Sequence, residues 1–318
     1  MIVTLTAHPS LDRAITLEGP LRPGEVQSAA GAREDAGGKG INVSRVVAAA
    51  GIRTVAILPL AAGDPYAAAL AGAAIDTRTV PVHGHVRANL TITDPAGVTT
   101  KLNLPGAALT QADAAAVVEA VVQASRGARW LVLAGSLPPG AAADFYVAVI
   151  DAVRSAHGDA APLIAVDTSG AALSAVVARG RPDLIKPNDD ELAELSGRTL
   201  PEGDLALAVA AVGRELVPGR VEAALVTLGA AGAVLVTAEG AWAAVPPGIR
   251  VVSTVGAGDS SLAGYLVAEA GGAGPEERLR SAVRYGAAAA SLPGTQAPTP
   301  EDLPAGDVPV TRLASAPV

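Results

Sequence analysis

At 318 residues the chain is long enough for one large domain or two ordinary ones, with a sizeable core. Half of it is hydrophobic and only 17% is charged, which excludes long disordered regions, and the formal charge of −8 disfavours nucleic acid and anionic membranes as partners. Cysteine is absent, so disulfides, thiolate zinc sites and cysteine nucleophiles are excluded too. The aromatic complement is two Trp, four Tyr and one Phe, so the core has to be built from Ala, Val, Leu and Ile, and base-stacking modules are disfavoured. No apolar run is long enough to span a membrane and the first residues lack the basic region of a signal peptide, so a cytoplasmic protein is expected.

In chain order, short apolar runs predict strands at 2–6, 55–60, 130–134, 163–166, 184–186 and 224–227, separated by Ala-rich segments of helical period. That alternation predicts an α/β fold, a mainly parallel sheet flanked by helices. Residues 87–104 break the rhythm, alternating strictly around Asp94-Pro95-Ala96-Gly97 as a β-hairpin does. The even positions Leu90, Ile92, Val98, Leu102 and Leu104 are apolar, whereas the odd positions include Arg87, Asn89, Thr91, Lys101 and Asn103. With strands from the Gly-, Pro- and charge-rich stretch 13–34, this predicts a small β-sheet lid, formed from about 13–35 and 84–104, on a single domain spanning 1–318. Its polar face could cover a polar ligand; its apolar face needs burial, for example against a second copy of itself.

Lysine occurs only at 39, 101 and 186 and asparagine only at 42, 89, 103 and 188, while arginine supplies the other 20 basic charges. The few places where Lys and Asn persist are candidates for chemistry that Arg or Ser cannot perform. Gly37-Gly38-Lys39-Gly40-Ile41-Asn42-Val43 opens a helix running to about Ala50. Its glycines permit close backbone approach and the helix start offers free N–H donors, although a plain turn into a helix reads the same way. It is not a Walker A loop, because Gly40 follows Lys39. Lys186-Pro187-Asn188-Asp189-Asp190-Glu191 follows a strand; Asn188 and Glu191, three apart, could order a hydrated Mg²⁺ or simply form a capping box.

Thr227-Leu228-Gly229-Ala230-Ala231-Gly232 reads as a nucleotide turn or as a hairpin into 233–236. Ser253-Thr254-Val255-Gly256-Ala257-Gly258-Asp259-Ser260 is the sharper signal. A helix starting near Gly258 makes the amides of 257–259 an anion nest, and Asp259 is then either an ordinary first-turn residue or a general base. Gly135-Ser136 also ends a strand but misses the nucleophile-elbow pattern.

Together these motifs resemble the ribokinase-like PfkB family of sugar kinases, in the expected order over nearly the whole chain. Ser253-Thr254 before Gly-Ala-Gly-Asp, with His8-Pro9-Ser10-Leu11-Asp12, Leu104-Pro105-Gly106, Gly135-Ser136-Leu137-Pro138 and Val245-Pro246-Pro247, is similar to the family's phosphosugar branch, most of all to 1-phosphofructokinases. The resemblance implies a ribokinase-like fold and ATP-dependent, Mg²⁺-requiring phosphorylation of fructose 1-phosphate at its 6-hydroxyl. Tagatose 6-phosphate and fructose 6-phosphate are the alternative substrates, and a non-catalytic sugar-phosphate sensor is the alternative of another class. It also implies roles: Asp259 as base, with the Gly256, Ala257 and Gly258 amides holding phosphoryl charge; Asp12, Gly38, Lys39, Asn42, Arg87 and Ser136 on the sugar phosphate. Lys186, Asn188, Thr227, Gly229 and Gly232 fall around ATP, and Asn188 with Glu191 at Mg²⁺. Ser261 departs from the bulkier residue frequent there, which bears on packing more than on chemistry. A homodimer through the lid is implied as well.

Overall fold

A computed structural model describes residues 1–201 and 203–314. The chain opens with β1 (Ile2–Thr6), β2 (Ser10–Leu17), β3 (Ala29–Gly37) and α1 (Lys39–Ala49). Next come β4 (Thr54–Leu60), α2 (Tyr66–Ala71), β5 (Asp76–Pro81), and the hairpin β6 (Arg87–Thr93) and β7 (Thr99–Leu104). The middle alternates α3 (Gln111–Ala124), β8 (Trp130–Ala134), α4 (Phe145–His157), β9 (Leu163–Asp167), α5 (Gly170–Ala175), β10 (Leu184–Ile185) and α6 (Asp189–Ser196). The remainder is α7 (Leu205–Leu216), β11 (Ala223–Thr227), β12 (Ala233–Thr237), β13 (Gly240–Ala244), α8 (Ala257–Ala270), α9 (Pro275–Ala290) and β14 (Val310–Leu313).

The large sheet runs β14-β13-β12-β11-β10-β9-β8-β1-β4-β5. It is parallel from β11 to β5 and turns antiparallel from β12 to β14. Strands β1 and β8 are buried throughout, so both faces need helices, and successive side chains alternate between two cores. Ile2, Val132 and Ala134 pack with Val43, Val46, Leu262 and Leu279, under α1, α8 and α9. Val3, Leu5, Leu131 and Leu133 pack with Val117, Val121, Tyr146 and Ile150, under α3 and α4. Each such fully buried aliphatic side chain contributes about 1.5–3 kcal/mol, which fixes the strand ends and the loops that leave them. This is an α/β fold, a large mainly parallel sheet flanked by helices, and no helix among the described residues is long and apolar enough to cross a membrane.

Strands β5 and β14 carry no apolar run to read. Their sequences, DTRTVP and VTRL, sit at the sheet edges, and in β5 only Val80 is buried. The edge beyond β11 is therefore antiparallel, and 233–236 forms a strand returning from Thr227.

A separate sheet, ordered β3-β2-β6-β7, is entered from the C-terminal end of β1 through β2 and leads by way of β3 into α1. Its register sets Asp12 opposite Asn89 and Asp35, and Asn89 opposite Asn103. Arg87, Asn89, Thr91, Lys101 and Asn103 thus share a face with Ser10 and Asp12, while Leu90, Ile92, Leu102 and Leu104 share the other with Ile15. Val98 lies outside the strands, in the turn that Asp94 organises by accepting from the amides of Ala96 and Val98.

Candidate active site

From β1 the chain goes to β4 on one side, while β8 lies on the other. The loops after β1 and β8 therefore diverge and leave a crevice at the C-terminal edge, where open α/β sheets bind ligands. His8 and Ser136 face each other across it, with Nδ1 and Oγ 3.4 Å apart. Burial, then the charge of Arg87, pulls the His8 imidazole down to about 4, so it is neutral near pH 7. A Cβ on Gly106 would stand 2.7 Å from the Arg87 amide nitrogen and 3.1 Å from His8 Nε2, so only glycine fits this corner. Asn89 Nδ2 donates to Asp12 Oδ1 at 2.8 Å, and burial pushes the Asp12 carboxyl above its ordinary value. Thr6 Oγ1, His8 Nε2, Asn42 Oδ1, Arg87 Nε, Asn89 Oδ1 and Thr168 Oγ1 are buried yet have no hydrogen-bond partner among the described residues. Such atoms are rare in folded proteins, and their gathering here marks a site built for a polar ligand.

The glycines of the first motif press α1 against β1. Gly38 has φ +126°, and a Cβ on it would stand 2.5 Å from Thr6 Cγ2; one on Gly40 would stand 2.5 Å from Thr6 Oγ1. That close approach aims Lys39 and Asn42, neighbours on one helix face, at the ends of the central strands.

Four charges meet there. Lys39 Nζ donates to Asp167 Oδ1 at 2.6 Å, and Lys186 Nζ lies 3.2 Å from Asp167 Oδ2. Burial alone would push the Asp167 carboxyl up, but Lys186 and Lys39 outweigh it and hold the group below the usual carboxylate range. Burial opposes the charge on Lys39 as well, yet Asp167 and Asp259 keep its ammonium well above its ordinary value. Asp259, in the first turn of α8, accepts from Asn42 Nδ2 at 2.8 Å. Burial, and then the negative charge of Asp167, pushes the Asp259 carboxyl up to about 6, against the pull of Lys39, the Asn42 hydrogen bond and Lys186.

Gly256 caps α8 in the left-handed region, φ +78°; the Ala257 amide donates back to the Thr254 carbonyl at 3.4 Å, while the amides of Gly258 and Asp259, as at any helix start, have no intrahelical acceptor. A Cβ on Gly258 would stand 3.2 Å from Lys186 Nζ. Lys186, expected among residues around ATP, therefore sits against the start of α8 and adds a full positive charge to the amide nest. Ser261 Oγ donates to the Ala257 carbonyl at 3.0 Å and occupies space that a Cβ on Gly286 would contest, so its small size serves helix packing.

Asn188 and Glu191 form the capping box of α6. The Glu191 amide donates to Asn188 Oδ1 at 2.7 Å and the Asn188 amide to Glu191 Oε2 at 2.9 Å. Asn188 also bridges to Thr227, which joins the ends of β10 and β11. Gly229, at φ +56°, has open space where a Cβ would stand, whereas a Cβ on Gly232 would collide with the Ala244 carbonyl. Gly232 is thus required by the turn into β12. Asp167 was not among the residues singled out by sequence. Its only signal is position, a carboxylate ending a parallel strand one residue beyond the apolar run, and its meaning comes from Lys186, brought alongside by the β9–β10 pairing, and from Lys39, reaching over from α1.

Residues 8–302 match the model of the pfkB family of carbohydrate kinases, and the chain belongs to that family. The 1-phosphofructokinase of Rhodobacter capsulatus is 35% identical over 308 residues, covering 96% of this chain and 95% of that one. The ATP-dependent 6-phosphofructokinase isozyme 2 of Escherichia coli K12 is 36% identical over 299 residues, covering 93% and 94%. Among solved structures, phosphofructokinase-2 from Escherichia coli in complex with potassium superposes with a TM-score of 0.86 at 34% identity, over 95% of this chain and 96% of that one. The protein is a phosphofructokinase-type sugar kinase, transferring phosphate to an alcohol acceptor.

Folding lifts the Asp259 carboxyl from its ordinary 3.8 to about 6, so between those values the native chain holds more protons than the unfolded one. The contribution of this group to stability is present at the low end of that window and is lost as pH rises through 6. Asp259→Asn is therefore expected to raise the urea midpoint relative to the parent protein more at pH 8 than at pH 4.5. The same difference at both pH values would contradict the buried carboxylate.

Proposed function

We propose that this kinase phosphorylates fructose 1-phosphate at its 6-hydroxyl, with Mg·ATP as donor, giving fructose 1,6-bisphosphate. The observation that carries it is Asp259, a buried carboxylate with a value near 6 at the mouth of an amide nest. Near pH 7 such a group is largely ionised yet basic enough to take a proton from a hydroxyl, as general-base catalysis requires. The choice of sugar phosphate rests on the motif pattern, since relatives named for fructose 1-phosphate and for fructose 6-phosphate chemistry match the chain equally well.

Asp12 would accept from sugar hydroxyls while Arg87, with its unpartnered Nε, and Ser136 hold the sugar's own phosphate. Asn42 orients the Asp259 carboxylate, which removes the proton from the attacking hydroxyl. The Gly256, Ala257 and Gly258 amides, with Lys186 beside them, stabilise the charge on the transferring phosphoryl group, and Lys39 supports both carboxylates. Thr227 and Gly229 offer an open edge for the nucleotide. The donor set suits Mg²⁺, which takes one or two carboxylates and completes its shell with phosphates and water: Glu191 keeps Oε1 outside the capping box, and its charge reaches Lys39. Bound there, the ion would neutralise phosphate charge. The small sheet serves as the lid that excludes water.

Initial rates with Mg·ATP are expected to give the highest kcat/KM for fructose 1-phosphate over fructose 6-phosphate and tagatose 6-phosphate. Asp259→Asn should lower kcat about 10²–10⁴-fold with sugar-phosphate affinity within several-fold. Preference for another sugar phosphate would overturn the substrate, and a near-normal rate in the variant would remove Asp259 as base.

The apolar face of the lid, on which Leu102 and Leu104 are 52% and 49% exposed, is proposed as a homodimer contact. Light scattering is expected to show a dimer that Leu104→Lys converts to monomer; a monomeric parent protein would contradict this.

A further inference from the structure

A cleft of about 550 Å³ lies outside the residues assigned above and shares none of them. Arg33 and Asp35 of β3, Arg45 and Ala49 of α1, Ala73 after α2 and Gln296 after α9 contribute to its walls. Two guanidinium groups against one carboxylate leave it net positive, within a chain of formal charge −8.

The two arginines differ. Arg33 is engaged: its Nε donates to Asp35 Oδ2 at 2.8 Å, and its Nη2 lies so close to Gly294 that a Cβ there would collide with it. Arg45 is half buried and makes no ion pair and no side-chain hydrogen bond among the described residues. Burial pulls its guanidinium below the ordinary value, while Tyr66, Asp35 and Asp12 oppose the shift. Attraction at range to Asp35 and Asp12 favours its charge, but none of its five N–H donors has a hydrogen-bond partner among the described residues, although Asp35 and Gln296 line the same cleft. A half-buried cation with unused donors beside a roomy polar cleft matches what an anion would complete.

We propose that this cleft is a second anion site, binding a phosphate group, free or carried by a small metabolite, between Arg45 and Arg33. The alanines beside it form a wall for an attached carbon skeleton. Occupancy is placed to reach the active site by two routes. Arg33 sits on the strand that leads into Gly37 and Gly38. The loop at Gly294 accepts from Ser253 Oγ at 3.2 Å, next to the α8 nest. The consequence is a change in KM for the sugar phosphate with little change in kcat; only that consequence rests on the kinase reading, since binding does not depend on which substrate is used.

Equilibrium dialysis of the full chain with radiolabelled inorganic phosphate tests it, at saturating sugar phosphate and a non-transferable ATP analogue. One phosphate per chain is expected to remain bound. Arg45→Gln, and independently Ala49→Glu at an exposed helix position facing the cleft, should each weaken it about tenfold or more, with the urea midpoints confirming folded protein. Competition by a small phosphate monoester that is neither active-site ligand, glycerol 3-phosphate, would identify a phosphorylated metabolite as the source, and its absence would leave inorganic phosphate. Complete displacement by the active-site ligands, or equal binding by the parent and both variants, would overturn the proposal.

Discussion

The contact on which the site depends is the Asp167 carboxylate, fully buried at the end of β9 between Lys39 and Lys186. Removing the carboxylate itself would leave two ammonium groups facing each other, that of Lys186 almost fully buried, and losing the partner of a buried charge costs about 3–5 kcal/mol. Buried ion pairs add little net stability against apolar replacements, so their use here is positional. Asp167 draws an ammonium from α1 and another from the end of β10 to one point. Burial first, and then the field of those three charges, sets the protonation of Asp259 on α8. Four elements distant in sequence are coupled electrostatically at the edge of one sheet.

Backbone economy makes this geometry possible. Gly38 and Gly40 let α1 lie against Thr6, Gly258 lets Lys186 reach the start of α8, and Gly256 turns the chain so that α8 presents its amides. The aliphatic core on both faces of β1 and β8 holds these ends in place. Asp259 is the counter-example to optimisation for stability: burying its carboxylate above pH 6 opposes folding, while the same burial brings its basicity towards working pH.

Strands 2–6 and 130–134 were legible because burial on both faces leaves mostly apolar runs, and the hairpin because its two faces differ in polarity, which gives strict alternation. Strands β5 and β14 were not, because edge strands bury almost nothing that a pattern could reveal. The scarcity of Lys and Asn pointed to Lys39, Asn42, Lys186 and Asn188. Nothing comparable marks Asp167, since aspartate is common in this chain and its role arises only when strand pairing sets Lys186 beside it and the packing of α1 brings in Lys39. Asn188 and Glu191 show the opposite difficulty, because capping and metal chemistry ask for the same residue types at the same spacing. Arg45 was invisible among 20 arginines, and only its lack of a partner in the fold sets it apart.

The electrostatic coupling has a sign, and the acidic limb of the kcat/KM profile measures it. With the parent limb near pH 6, Lys39→Met removes a positive charge that favours the Asp259 carboxylate, so the limb should move to higher pH. Asp167→Asn removes a negative charge and releases two lysines, so the limb should move to lower pH. Opposite displacements in the two variants are the predicted result; displacements in the same direction, or an acidic limb unmoved in both, would contradict the account.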